Sequence, residues 1–175
     1  MYRIWILMAV LAVAGCHRSV STPATTTAAS EIDPHYGHLL HAQRKLPTVK
    51  VWLGSEELVA EVARQPIEIA TGMMFRTNLA ETEGMLFVFP DAAPRSFYMR
   101  NCVIDLSGAY LNPAGEISQI IQMKKGDETP IFSQANNIQF VLETSAGWFE
   151  RHQIKPGVMV RTEYGSLRET FFGKN

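Results

Sequence analysis

Cysteine is nearly absent from this chain: only Cys16 and Cys102 occur in 175 residues, so a multiply disulfide-bonded scaffold is excluded. No charge of one sign dominates, with 16 Lys and Arg against 17 Asp and Glu, which argues against nucleic acid or an anionic lipid surface as a partner. Apolar runs long enough to span a bilayer are missing too. The longest, Ile4 to Val13, falls well short of the roughly 20 residues a membrane helix needs. The common enzyme signatures are also lacking: GxSxG, HExxH, CxxC and a glycine-rich phosphate loop do not occur.

What the N-terminus does contain is an export pattern. Arg3 precedes the apolar run, and the stretch closes on Val13-Ala14-Gly15-Cys16. A cation, a short apolar stretch and small residues ahead of a cleavage point mark a signal peptide. The small residues before Cys16 resemble a lipobox, in which that thiol is acylated and becomes the new N-terminus. Ala12-Val13-Ala14 also fits an ordinary signal-peptidase site, which would release a soluble chain. Cysteine at the position lipidation requires favours the first reading. Several acyl chains give a stable anchor, each buried methylene contributing about 0.8 kcal/mol. His17 follows, not Asp, and resemblance to enterobacterial sorting patterns then points to the outer membrane, facing the periplasm. The expected organisation is a signal peptide over 1–15, a lipidated N-terminus and linker over 16–45, and one globular domain over 46–175. Without its signal peptide the chain loses Arg3, leaving 15 cationic against 17 acidic side chains.

From Ser19 to Ser30 the chain is Ser, Thr, Ala, Val and one Pro, a linker composition; run to Lys45, it reaches about 30 Å. His35, His38 and His41 punctuate its end at spacings that share no single helix face, so no metal and no cofactor is expected there. Cys102, left without a partner, reads as a small buried apolar residue.

The body alternates short β patterns with turns. Thr48–Leu53 and Leu58–Ala63 flank Gly54-Ser55; Met85–Phe89 ends at Pro90; Ser96–Met99 follows. Leu106–Leu111 and Glu116–Met123 flank Asn112-Pro113-Ala114-Gly115, and Gln139–Thr144, Val158–Thr162 and Leu167–Phe172 complete the set. Two short helices are expected, Pro66–Met74 and Gly147–Gln153. The fold class is therefore mainly β, a single small β-sandwich or barrel-like domain.

One order of motifs resembles a known family: Gly72-Met73-Met74-Phe75-Arg76, Gly84-Met85-Leu86-Phe87-Val88-Phe89, Ser96-Phe97-Tyr98-Met99-Arg100-Asn101, Gly115, then Val141-Leu142-Glu143 with Ala146-Gly147-Trp148-Phe149 and Gly157. It is similar to domain of unknown function 192, which implies a compact β domain, often exported or lipid-anchored, with no established activity. Where that family usually carries Ile-Pro-Leu-Asp, this chain has Ile104-Asp105-Leu106-Ser107, losing both the proline and the acid.

Candidate chemistry gathers in Arg76, Phe97, Tyr98, Arg100, Asn101 and Trp148. Guanidinium groups beside aromatic faces suit an anionic or planar polar ligand; the same residues also suit helix capping, turns and core. Ser145 with His152, and Glu143 with Glu150, are too loosely specified by spacing to define a triad or an acid–base pair. Met73, Met74, Met85, Met99 and Met123 read as adaptable core. These features favour a non-catalytic, lipid-anchored module binding an unidentified small ligand or an envelope protein, over a hydrolase acting on glycan or peptide.

Overall fold

The computed structural model describes residues 31–173; the expected signal peptide, Cys16 and the body of the linker lie outside them. The strands are β1 (Thr48–Leu53), β2 (Glu56–Ala63), β3 (Glu83–Ala93), β4 (Ser96–Phe97), β5 (Leu106–Leu111), β6 (Ile117–Met123), β7 (Ile131–Phe132), β8 (Ile138–Ser145), β9 (Val160–Thr162) and β10 (Gly165–Ser166). Three helices accompany them: α1 (Pro66–Thr71), α2 (Trp148–Arg151) and α3 (Leu167–Phe172).

Eight strands form one open mixed sheet in the order β10-β9-β1-β2-β3-β8-β5-β6, and β4 pairs with β7 in a small ribbon. The chain is mainly β, as expected, but the large sheet is not closed into a barrel. Three hairpins (β1 with β2, β5 with β6, β9 with β10) and three long-range antiparallel pairs build the sheet, whereas β2 and β3 run parallel. A parallel pair needs a crossover, and here residues 64–82, including α1, provide it.

The central strands explain why alternation is weak in this sequence. Every residue of β5, and all of β8 but its last, is buried, as happens when both faces of a strand are covered. On β3, Leu86 and Val88 enter one apolar cluster with Leu58, Trp148, Val160 and Leu167, while Met85, Phe87 and Phe89 enter another with Met73, Met74, Met99 and Tyr110. Successive side chains point to opposite faces, so the domain has a core on each side of its sheet. The five methionines all belong to the second cluster.

Two expectations change. Leu167–Phe172 is helix α3, not a strand, because Ser166 and Glu169 form a reciprocal capping box, with Glu169 N donating to Ser166 Oγ at 3.2 Å. The count of helices rises to three accordingly. Residues 31–45, expected as the end of the linker, pack on the domain: His38 and Gln43 are buried. Gln43 Nε2 donates to Gly72 O at 2.8 Å, and Leu39 N donates to Thr71 Oγ1 at 3.0 Å. The Gly72 carbonyl and the Thr71 hydroxyl at the end of α1 thus find partners in this strap.

Candidate functional site

Helix α1 ends at Gly72, whose φ of 46° and N–H bond to Glu68 O turn the chain sharply. A Cβ there would stand 3.1 Å from Phe87 Cζ. Met73 and Met74 follow, and then Phe75 at φ 62°, its N–H donating 2.8 Å to the carbonyl of Asn101, itself at φ 56°. Left-handed backbone is strained for Phe and tolerated by Asn; one hydrogen bond locks the two together. It joins the turn after α1 to the loop after β4.

Between these loops and β3 lies a cavity of about 360 Å³, lined by Met73, Met74, Phe87, Phe89, Phe97, Tyr98, Arg95, Cys102 and Glu143 among others. Phe97 stands edge-on to Phe87 with ring centroids 5.0 Å apart. At the rim, Arg95 lies over Phe89 at 4.0 Å and its Nη2 donates to Asp91 O at 2.6 Å and Asp91 Oδ1 at 3.0 Å.

Glu143 forms the floor. It sits mid-strand on β8, between Met85 of β3 and Gly108 of β5, and is only 4% exposed. Its Oε2 has no hydrogen-bond partner. Burial pushes its carboxyl up to about 8, since desolvation penalises the charged form. At neutral pH it is mostly a neutral acid. Cys102 is buried as well, and burial first, then the nearby Glu143 charge, pushes its thiol up to about 12. Tyr110 is buried nearby without lining the cavity: its hydroxyl donates to Ile131 O at 2.5 Å, and burial raises it to about 12. Glu143 is thus a buried acid.

The structure divides the six candidate residues. Phe97 and Tyr98 line the cavity. Arg76 instead grips Glu61 bidentately, at 3.1 and 2.9 Å, and Arg100 bonds Glu128 at 2.9 and 2.5 Å. Arg100 also packs between Tyr36, at 3.6 Å, and Tyr98, at 5.5 Å. Asn101 contributes its backbone bond and an Nδ2 contact of 3.9 Å to Met74 Sδ. Trp148 stands apart, in the core on the opposite face of the sheet, where its Nε1 donates to Glu81 O at 2.9 Å. A pocket joining it to the arginines does not form.

Other candidates settle into structural contacts. Ser145 Oγ donates to Glu81 Oε2 at 2.8 Å, not to His152, which bridges Glu56 at 2.7 Å and Glu81 at 3.1 Å. The Arg151 guanidinium holds Glu81 down at about 2. A nucleophile-to-base contact is therefore not made. Asp105 accepts from Lys125 N at 2.8 Å, while buried Ser107 donates to Gln122 Oε1 at 2.6 Å and accepts from Gly147 N at 2.8 Å. Neither residue lines the cavity. Near the strap, His38 Nδ1 donates to Leu39 O at 2.7 Å and His41 faces Glu31 at 3.7 Å. No group of three or more His, Cys, Asp or Glu side chains suited to a metal occurs among the described residues, and no helix among them is long and apolar enough to cross a membrane.

The family model of domain of unknown function 192, described as an uncharacterized ACR, matches residues 49–162. The chain belongs to the DUF192 family. That match spans the whole cavity and every motif that builds it. The DUF192 domain is also similar to a structure of a protein of unknown function from Novosphingobium aromaticivorans DSM 12444. The two are 32% identical with a TM-score of 0.63, covering 78% of this chain and 98% of that one. A second structure, from Sinorhizobium meliloti 1021 and described as a candidate transcription regulator, is 27% identical with a TM-score of 0.65. It covers 69% of this chain and 98% of its own. No curated protein matches the sequence significantly.

Proposed function

We propose that this DUF192 protein is a lipid-anchored component of the bacterial cell envelope that binds a small ligand in the cavity floored by Glu143. The carrying observation is the buried, unpartnered Glu143 Oε2 in a recess otherwise lined by aromatic and methionine side chains. An unsatisfied buried polar atom costs free energy that a ligand can recover. The volume falls within the range of about 300–1,000 Å³ typical of small-molecule pockets. The anchor reading rests on Val13-Ala14-Gly15-Cys16, and a polar linker beyond Cys16 would hold the domain off the membrane.

Binding without catalysis is favoured because the neighbouring thiol and phenol are neutral and no nucleophile–base pair faces the cavity. The transcription-regulator description of the Sinorhizobium protein is not carried over. Net charge is −1, and Arg76, Arg95, Arg100 and Arg151 are each paired with a carboxylate, leaving little to grip phosphates.

Native mass spectrometry of the exported Cys16→Ser chain tests the binding site. A reproducible added mass that disappears in Glu143→Leu is expected. A bare polypeptide that no small-molecule panel stabilises would overturn the site. Fatty-acid labelling in cells, lost in Cys16→Ser, checks the anchor.

A further inference from the structure

We infer that the ligand of this cavity is an organic amine: an ammonium group, carried on a compact apolar body, that pairs with Glu143 among the aromatic side chains. This inference rests on the binding reading above and names the chemistry of its ligand.

The first argument concerns the polar floor. Glu143 is enclosed by Met85 on one neighbouring strand and Gly108 on the other, and Oε2 has no protein donor. A neutral hydrogen-bonding task could be met by a glutamine without the cost of an ionisable group in an apolar recess. What a carboxyl adds is the ability to become an anion when a cation arrives. A buried charge is tolerated where it is paired and hydrogen-bonded, and an ammonium provides both.

The walls supply the second argument. Phe87, Phe89, Phe97 and Tyr98 all face the cavity. Aromatic faces carry negative quadrupole and attract a cation, more strongly when it is desolvated. Methionine sulfurs of Met73 and Met74 add polarizable contact to an apolar body. At the mouth, Arg95 does not oppose entry as a bare charge, because Asp91 neutralises it at 3.0 Å and its guanidinium is occupied by Phe89.

The titratable groups around the floor are few. Cys102 on the 99–104 loop and Tyr110 on β5 are both held near 12 and stay neutral from pH 6 to 9. Asp91 and Arg95 pair with each other at the rim. The proton balance on binding therefore belongs to Glu143: the free site is mostly protonated at pH 7, and the amine complex is ionised.

Phenethylamine, 2-phenylethanol and 3-phenylpropionate serve as cationic, neutral and anionic probes of one shape, titrated calorimetrically into the Cys16→Ser chain in buffers of differing ionisation enthalpy. Phenethylamine is expected to bind best and to release about 0.9 proton per site at pH 7. Its affinity should rise about tenfold between pH 7 and pH 9 as the free carboxyl ionises. Glu143→Gln should remove the proton release and at least tenfold of the amine affinity. If Glu143→Gln does not fold, the wild-type proton count decides alone. Equal or tighter binding of the alcohol or the acid, without proton release, overturns the amine inference and leaves the binding site standing. Failure of all three probes, with no added mass in native spectra, overturns both.

Discussion

Gly84 and Glu143 meet backbone to backbone: a Cβ placed on Gly84 would stand 2.9 Å from the carbonyl oxygen of Glu143. The approach draws β3 and β8 together where they carry the cavity floor. Gly84→Ala forces the strands apart or the carbonyl aside and should cost about 1–3 kcal/mol. Urea denaturation measures the loss; an unchanged midpoint would show that the approach has slack. Weaker ligand binding should accompany it, since Glu143 moves with its backbone.

The stability of the domain should depend on pH through Glu143. Its folded value is raised to about 8 from an ordinary 4.5. The folded state therefore keeps a proton that the unfolded chain loses above pH 4.5. Its contribution is fully present below that value and fades as pH rises towards 8, by up to about 1.4 kcal/mol per pH unit. Glu143→Gln should lack this slope and gain on the wild type between pH 5 and pH 8. Parallel denaturation series at those two pH values would reveal it, and identical slopes would refute it.

Arg76 is held by Glu61 in a pair whose side chains are only 14% and 9% exposed. Glu61 also accepts from Leu46 N at 2.8 Å, so the pair fastens the residues before β1 to the turn after α1. Arg76→Met strands a buried carboxylate and should cost about 3 kcal/mol. The double variant Arg76→Met, Glu61→Leu should recover most of that. A double variant as unstable as the sum of its parts would mean that the pair contributes more than its own neutralisation.

Cys102 should resist modification. Its thiol is buried, and burial raises it to about 12. In a Cys16→Ser chain, where Cys102 is the remaining cysteine, an alkylating reagent should label the native state at least about a hundredfold more slowly than the urea-unfolded chain. Comparable rates would place the thiol in contact with solvent.

Several elements are legible from residue pattern alone. Thr48–Leu53 alternates and meets a Gly54-Ser55 turn, and Leu106–Leu111 stops at Asn112-Pro113; both strands match the structure to the residue. Local backbone chemistry sets these boundaries, so local sequence suffices. Helix α3 is where the residue pattern misleads: Thr170, Phe171 and Phe172 suit a strand, yet the segment is helical. The cap decided it, because reciprocal bonds satisfy two backbone donors that a strand end would leave to other partners.

What only the tertiary structure decided is which residues share a site. On β8 both faces are covered, so alternation disappears and Glu143 gives no local sign of being buried. Its environment comes from Met85, Gly108 and Cys102, at least 35 positions away in the chain. Trp148 and Arg76 look alike as motif members, yet the pleat sends their surroundings to opposite faces of one sheet. The sequence by itself determined the family, the β class and the limits of strands such as β1 and β5, because these follow from neighbours along the chain. Partnerships across the sheet decided the cavity, the unpaired carboxyl and the arginine pairs, because burial and charge depend on what packs alongside.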